Sequence, residues 1–136
     1  MTVKYGWSPE VYISKVEGNS DARFKDYMQA EIRYISNIPR IVTKTIVDLG
    51  AGYGRVEGVL SGIAREVKAI EIDKVMLKAL RDRTKNFDNV RVISGDVNSL
   101  SSFVTGTDLV LISLQNSLGT WIGDRDIAIK QIRKVL

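Results

Sequence analysis

The chain contains no cysteine and no histidine among its 136 residues. Without cysteine it can form no disulfide, no thiolate metal site and no thiol nucleophile. Without histidine it lacks the side chain that most often acts as a general base, and metal ligation would be left to carboxylates. We therefore expect no metal site, and a chemistry that uses Asp, Glu, Lys, Tyr and backbone groups or needs little proton transfer.

Long apolar segments are also lacking. No hydrophobic run approaches the ~20 residues that span a bilayer, and the first residues lack a signal-peptide pattern. The net charge is only +4, with basic residues spread along the chain, which is a weak electrostatic footprint for nucleic acid. The composition predicts one cytoplasmic domain with neither a membrane nor a nucleic acid as its partner.

Residues 1–40 have a helical pattern. Ser8 precedes Pro9, and Asp21 precedes an apolar stripe at helical spacing, both typical of helix starts. Pro39 favours an end to the second helix, because the residue before a proline avoids helical geometry. The stripe consists of Phe24, Met28, Ile32 and Ile35.

Strand and helix patterns alternate from about residue 44. Four short β-branched segments predict strands at 45–49, 67–72, 90–93 and 108–112. Helix-length patterns separate them, which indicates right-handed crossovers and a parallel sheet. The inward faces of the first and last of these helices are predicted to be Val56, Val59, Leu60 and Ile63, and Ile127, Ile129, Ile132 and Val135.

Three alternating glycines, Gly50, Gly52 and Gly54, follow the first strand. Glycine accepts positive φ and carries no Cβ, so such a loop can bring its backbone close to a ligand, and the helix start behind it favours an anion. Glu71 closes the second strand, where a carboxylate can accept hydrogen bonds from a ribose diol. The third glycine of the dinucleotide fingerprint would fall at Arg55, which disfavours a nicotinamide-dependent oxidoreductase.

The segment from Asp48 to Gly54, acidic-apolar-G-x-G-x-G, resembles the first motif of the class I S-adenosylmethionine-dependent methyltransferases. Residues 69–73, 92–97 and 108–119 are similar to that family's second motif, its adenine-binding segment, and its fourth strand with the active-site loop. The resemblance covers residues 44–136. It implies a Rossmann-like, doubly wound parallel α/β sheet, with residues 41–136 as the cofactor-binding core and residues 1–40 as an N-terminal helical cap or lid.

The resemblance also implies the cofactor S-adenosyl-L-methionine and a role for each matching residue. The three glycines would approach its methionine and ribose parts, and Asp48 would face the ammonium group or else organise the loop. Glu71 would hold the ribose hydroxyls. Asp96 would accept a hydrogen bond from the adenine amino group unless it is a turn residue. The remaining expected cofactor contacts are Ala51, Ile72, Val97 and Ser113.

The loop after the fourth strand, residues 114–119, contains neither the proline nor the aromatic residue with which methyltransferases of nucleobase amines hold a base. The resemblance therefore implies a small-molecule methyl acceptor, with Gln115 and Asn116 as the candidate catalytic-pocket residues. Tyr5, Trp7 and Tyr12 would either cover the cofactor or pack on the sheet edge. The alternatives are a non-catalytic cofactor-binding module and a methyltransferase acting on protein or RNA.

A complete core in this family has seven strands, and only four are predicted here. We therefore expect that the C-terminal strands are missing, either because the chain is a piece of a longer protein or because it is half of an assembly. In the second case a homo-oligomer or a partner chain would cover the exposed sheet edge.

Overall fold

The computed structural model describes residues 7–115 and 123–136. Its centre is a parallel sheet of four strands in the order β3-β2-β1-β4. The strand order reverses between β1 and β4, which makes their carboxyl ends the switch point of a doubly wound sheet. The strands are β1 Thr45–Leu49, β2 Glu66–Glu71, β3 Val90–Ser94 and β4 Leu109–Ile112.

Helices cover both faces of this sheet, and most of them begin at an acidic or hydroxyl side chain that accepts hydrogen bonds from the first turn. Asp73, for example, accepts from the backbone N–H groups of Val75 and Met76. The helices are α1 Pro9–Val16, α2 Ala22–Ser36, α3 Glu57–Ile63, α4 Lys74–Thr84 and α5 Arg125–Val135. Short 3₁₀ helices lie at Ile41–Thr43 and Val97–Ser102.

The two faces of β1 separate the hydrophobic core into two layers, because successive side chains of a strand point to opposite sides. Ile46 belongs to the layer packed by α2 and α3, together with Leu60. Val47 belongs to the layer packed by α5 and the second 3₁₀ helix, together with Leu100. Asp48, two residues after Ile46, therefore lies on the α3 side of the sheet.

The predicted Rossmann-like parallel sheet and N-terminal helices are confirmed, whereas two predicted helix faces are partly wrong. Val59 is 48% exposed, because α3 begins only at Glu57 and turns Leu60 inward. In α5 it is Ala128 that is buried, while Ile127 and Ile129 lie outside. Ala128 joins the core layer that contains Leu100 of the second 3₁₀ helix, so the packed face of α5 is rotated from the isoleucine pattern.

In the N-terminal segment, two of the three aromatic residues pack on each other. The rings of Trp7 and Tyr12 meet edge to face at 5.1 Å, and the Lys15 ammonium group lies 5.1 Å from the Trp7 ring centre. Tyr5 lies outside the described residues. Across residues 7–115 and 123–136, no helix is long and apolar enough to cross a membrane.

Candidate cofactor-binding site

The glycine loop follows β1 directly and has the backbone conformation that the three glycines predict. Gly50, Gly52 and Gly54 have φ angles of 83°, 60° and 88°, a region that other residues enter only with strain. The backbone N–H groups of Gly50 and Ala51 both donate to the carbonyl oxygen of Ile70, at 3.0 and 2.9 Å. The loop is therefore held against the end of β2.

The glycines of this loop differ in what surrounds them. A Cβ placed on Gly52 would meet no atom within 4 Å, so the loop is open to a ligand at this point. A Cβ on Gly54 would lie 2.9 Å from Cδ1 of Leu80 and 3.6 Å from Cδ of Arg83. The space beside Gly54 thus serves the packing of α4 on the loop, a role that the glycine pattern does not reveal.

Glu71 binds three backbone N–H groups at the junction of β2, the glycine loop and α4. Its Oε2 accepts from Gly52 at 2.7 Å, and its Oε1 accepts from Ile72 and Asp73 at 2.8 and 2.9 Å. Burial raises the pKa of Glu71, an effect that the three donors oppose. Sequence reasoning missed this structural role. Because Oε2 has only the one donor from Gly52 among these three, it keeps a lone pair that can accept from a ligand hydroxyl.

Beneath the loop, Asp48 lies beside Glu57, the first residue of α3. The two residues are 3% and 0% exposed, and Asp48 Oδ1 and Glu57 Oε1 have no hydrogen-bond partner among the described residues. Burial, followed by the charge of Glu57, raises the pKa of Asp48 well above its usual range. Burial also raises the pKa of Glu57. Sequence reasoning missed Glu57, although a carboxylate between Val56 and Leu60 interrupts an apolar helix face.

The adenine-binding candidates lie after β3. Asp96 is the N-cap of the second 3₁₀ helix, where its Oδ1 accepts from the backbone N–H and the side-chain amide of Asn98 at 2.9 and 3.1 Å. Val97 behind it is buried. Gly95 N–H donates to the carbonyl of Glu71 at 3.1 Å, which brings this segment to the same edge of the sheet as the glycine loop.

The remaining candidates differ in burial and contacts. Ile72 is 36% exposed, and the buried Ser113 Oγ has no partner in the part of the chain that the structure describes. Gln115, with φ of 51°, contacts the sulfur of Met28 on α2 through its side-chain amide. Asn116 lies outside the described residues.

Both N-terminal helices are attached to the glycine loop or to its neighbour α4 by an ion pair. Arg55 of the loop pairs with Glu31 of α2 at 2.5 Å, and both side chains are largely buried. Arg83 of α4 pairs with Glu17, which caps the end of α1, and lies 5.3 Å from the ring centre of Tyr53. Burial, followed by the charge of Glu17, raises the pKa of Tyr53 to about 12.

The two ion pairs should differ in strength. In a double-mutant cycle with Glu31→Gln and Arg55→Met, we expect a coupling free energy of about 1–3 kcal/mol, since the side chains are only 10% and 14% exposed. The matched cycle on Glu17 and Arg83, which are 34% and 37% exposed, should give less than about 1 kcal/mol. Urea unfolding of the single and double variants measures both values. Equal coupling in the two cycles would contradict this ranking.

These features together fit an adenosyl amino acid. An open stretch of loop backbone lies at Gly52, and below it lie buried carboxyl oxygens that have no partner among the described residues. Glu71 is the last residue of β2, and Asp96 follows β3. The family model described as "Methyltransferase domain" matches residues 46–136. The chain belongs to this methyltransferase family. It is a class I S-adenosylmethionine-dependent methyltransferase domain.

Individual relatives resemble parts of the methyltransferase. It is 39% identical over 64 residues to ribosomal RNA small subunit methyltransferase A of Listeria innocua, a match that covers 46% of this chain and 22% of the relative. A TehB-like SAM-dependent methyltransferase from Corynebacterium glutamicum has 26% identity and a TM-score of 0.62, covering 84% of this chain and 63% of the other. SAM-bound CalS10, an amino pentose methyltransferase from Micromonospora echinaspora, has 18% identity and a TM-score of 0.64. This match covers 100% of this chain and 55% of the CalS10 chain.

The methyltransferase therefore corresponds to about a fifth of the length of that curated relative and to between half and two thirds of these solved chains.

Proposed function

We propose that this protein transfers a methyl group from S-adenosylmethionine to a small-molecule acceptor. The observation that carries the proposal is a groove of about 670 Å³ between α2 and β4, a volume within the range of small-molecule sites. Its floor is apolar, with Val110, Ile112 and Leu114, and Glu31, Ser113 and Gln115 add polar groups. The groove reaches the carboxyl end of β4, beside the proposed cofactor site.

The cofactor-binding residues of this proposal follow from the contacts described above. The open backbone at Gly52, with Gly50 and Ala51, would receive the amino-acid part of the cofactor, and Asp48 its ammonium group. Glu71 Oε2 would accept from a ribose hydroxyl. The adenine would lie between Ile72 and the segment of Asp96 and Val97, and Ser113 would complete the site. Gly54 supports this arrangement by packing against α4.

When bound, the cofactor supplies an electrophilic methyl group on a sulfonium centre. An in-line displacement at that carbon depends mainly on positioning, so a chain without histidine suits it. Gln115, held against Met28 of α2, would orient the acceptor together with Asn116. Residues 1–40 would act as a cap on the core at 41–136. The Glu31 ion pair attaches α2 to the glycine loop, and the Glu17 ion pair attaches α1 to α4. A cytoplasmic location stays a prediction. So does a partner or second copy on the outer edge of β4, which pairs with no other strand among the described residues.

An RNA acceptor is the second candidate, because the Listeria innocua relative is named as a ribosomal RNA methyltransferase. That match covers only 64 residues. The loop at 114–119 and the weak net charge of +4 favour the small molecule. A non-catalytic module would have the same cofactor site without turnover.

A methyl-transfer assay distinguishes these functions. The protein is incubated with S-adenosylmethionine labelled on its methyl group and, separately, with a metabolite extract freed of macromolecules, with total RNA and with total protein. We expect label in the metabolite fraction, and less of it with Gln115→Ala, while the exposed control Asp82→Asn retains activity. Transfer to RNA or protein alone, or cofactor binding without transfer to any of the three, would contradict a small-molecule acceptor.

A further inference from the structure

Asp48 and Glu57 come from different elements and meet in the interior under the glycine loop. Asp48 lies on the face of β1 that α3 covers, and Glu57 is the first residue of α3. Neither side chain is more than 3% exposed. Glu57 Oε2 accepts from the backbone N–H of Val56 at 3.2 Å, whereas Asp48 Oδ1 and Glu57 Oε1 have no donor in residues 7–115 and 123–136.

Two ionised carboxylates cannot satisfy each other, because both are acceptors only. The side chains of Asp48 and Glu57 are nevertheless close enough to interact directly. A single proton between them gives each orphaned oxygen a partner and reduces the buried charge of the pair from −2 to −1. The other charged groups that act on the pair are Arg55 of the loop and Glu71 of β2. Arg55 is itself neutralised by Glu31 of α2.

We propose that Asp48 and Glu57 share one proton in the free protein and give it up when the α-ammonium group of S-adenosylmethionine binds. The ammonium group takes the place of the shared proton, which passes to solvent. The charge of the two carboxyl groups together with their bound cation therefore stays at −1. Glu57 is then a positioning residue, which acts on the cofactor through Asp48. The inference rests on the cofactor and not on the identity of the methyl acceptor.

The test is calorimetric titration with S-adenosylhomocysteine, which carries the same ammonium group, in buffers of different ionisation enthalpy. Between weakly acidic and neutral pH we expect release of close to one proton per bound ligand. The affinity should then rise with pH, by at most about tenfold per pH unit. In Glu57→Gln the amide can donate to an ionised Asp48, so we expect proton release near zero and an affinity that no longer depends on pH.

Two controls identify the source of the proton. Asp82→Asn makes the same chemical change at an exposed site on α4 and should release protons as the unmodified protein does. The second control is 5′-methylthioadenosine, which has the ribose and adenine but no ammonium group. It should bind the unmodified protein without releasing a proton, which excludes Glu71 as the source and does not require the Glu57 variant to fold.

The outcomes separate this proposal from the cofactor assignment. Binding of S-adenosylhomocysteine without proton release, or equal release by Glu57→Gln and the unmodified protein, overturns the shared proton alone. Equal release with 5′-methylthioadenosine also overturns it. A protein that binds neither compound at any pH overturns both the shared proton and the cofactor site.

Discussion

Glu71→Ala should destabilise the protein by about 3–5 kcal/mol, near the upper limit for a single substitution. The variant leaves three backbone N–H groups without their carboxylate acceptor, those of Gly52, Ile72 and Asp73. Each unsatisfied buried donor costs about 1–3 kcal/mol, and water entering the space recovers part of this. Urea unfolding, compared with that of the unmodified protein, measures the loss.

A control on the same strand is Glu66→Gln, at its other end. Glu66 bonds to the exposed Arg91, so its replacement should cost less than about 1 kcal/mol. A Glu71→Ala protein as stable as this control would contradict the structural role of Glu71. In Glu71→Gln one oxygen remains, so we expect an intermediate loss of stability.

Cofactor affinity tests the ribose role of Glu71 separately. Loss of a hydrogen bond to a charged group is worth about 1.5–3 kcal/mol. Glu71→Ala should therefore weaken S-adenosylhomocysteine binding by roughly 10–100-fold in protein that remains folded. Unchanged affinity would leave Glu71 with its structural role alone.

Gly54→Ala should cost more stability than Gly52→Ala, whereas Gly52→Ala should cost more cofactor affinity than Gly54→Ala. A methyl group on Gly54 is 2.9 Å from Leu80 Cδ1 in a backbone with φ of 88°, so overpacking and strain together should cost about 2–4 kcal/mol. On Gly52 it meets no neighbour and should cost only the strain of positive φ, about 1–2 kcal/mol. The same methyl group would occupy the space that the ligand needs, so we expect at least a tenfold loss of affinity for S-adenosylhomocysteine.

Thermal unfolding and calorimetric titration of both variants measure the two effects. The folded fraction of Gly54→Ala should bind more tightly than Gly52→Ala does, although it melts at a lower temperature. If Gly52→Ala bound S-adenosylhomocysteine like the unmodified protein, the cofactor would not approach the backbone at this glycine.

The sheet, the helix starts and the glycine loop could be predicted because local patterns encode them. β1 was predicted with its observed bounds, and β2 begins one residue earlier than predicted. Asp21 was predicted at a helix start, and it accepts hydrogen bonds from the backbone N–H groups of Arg23 and Phe24. The exposed sides of α3 and α5 could not be predicted, because the packed face of a short helix depends on the surface that it meets.

The sequence by itself determined the class of fold and the residues at the carboxyl ends of the strands. These depend on periodicity, capping and glycine spacing, which act over a few residues. Only the tertiary structure decided that Glu71 binds the loop, that Glu57 meets Asp48 and that Arg55 pairs with Glu31. These partners lie 9 to 24 residues apart. Their pairing follows from which surfaces pack together and from the low polarity of the interior, where each carboxylate needs a partner.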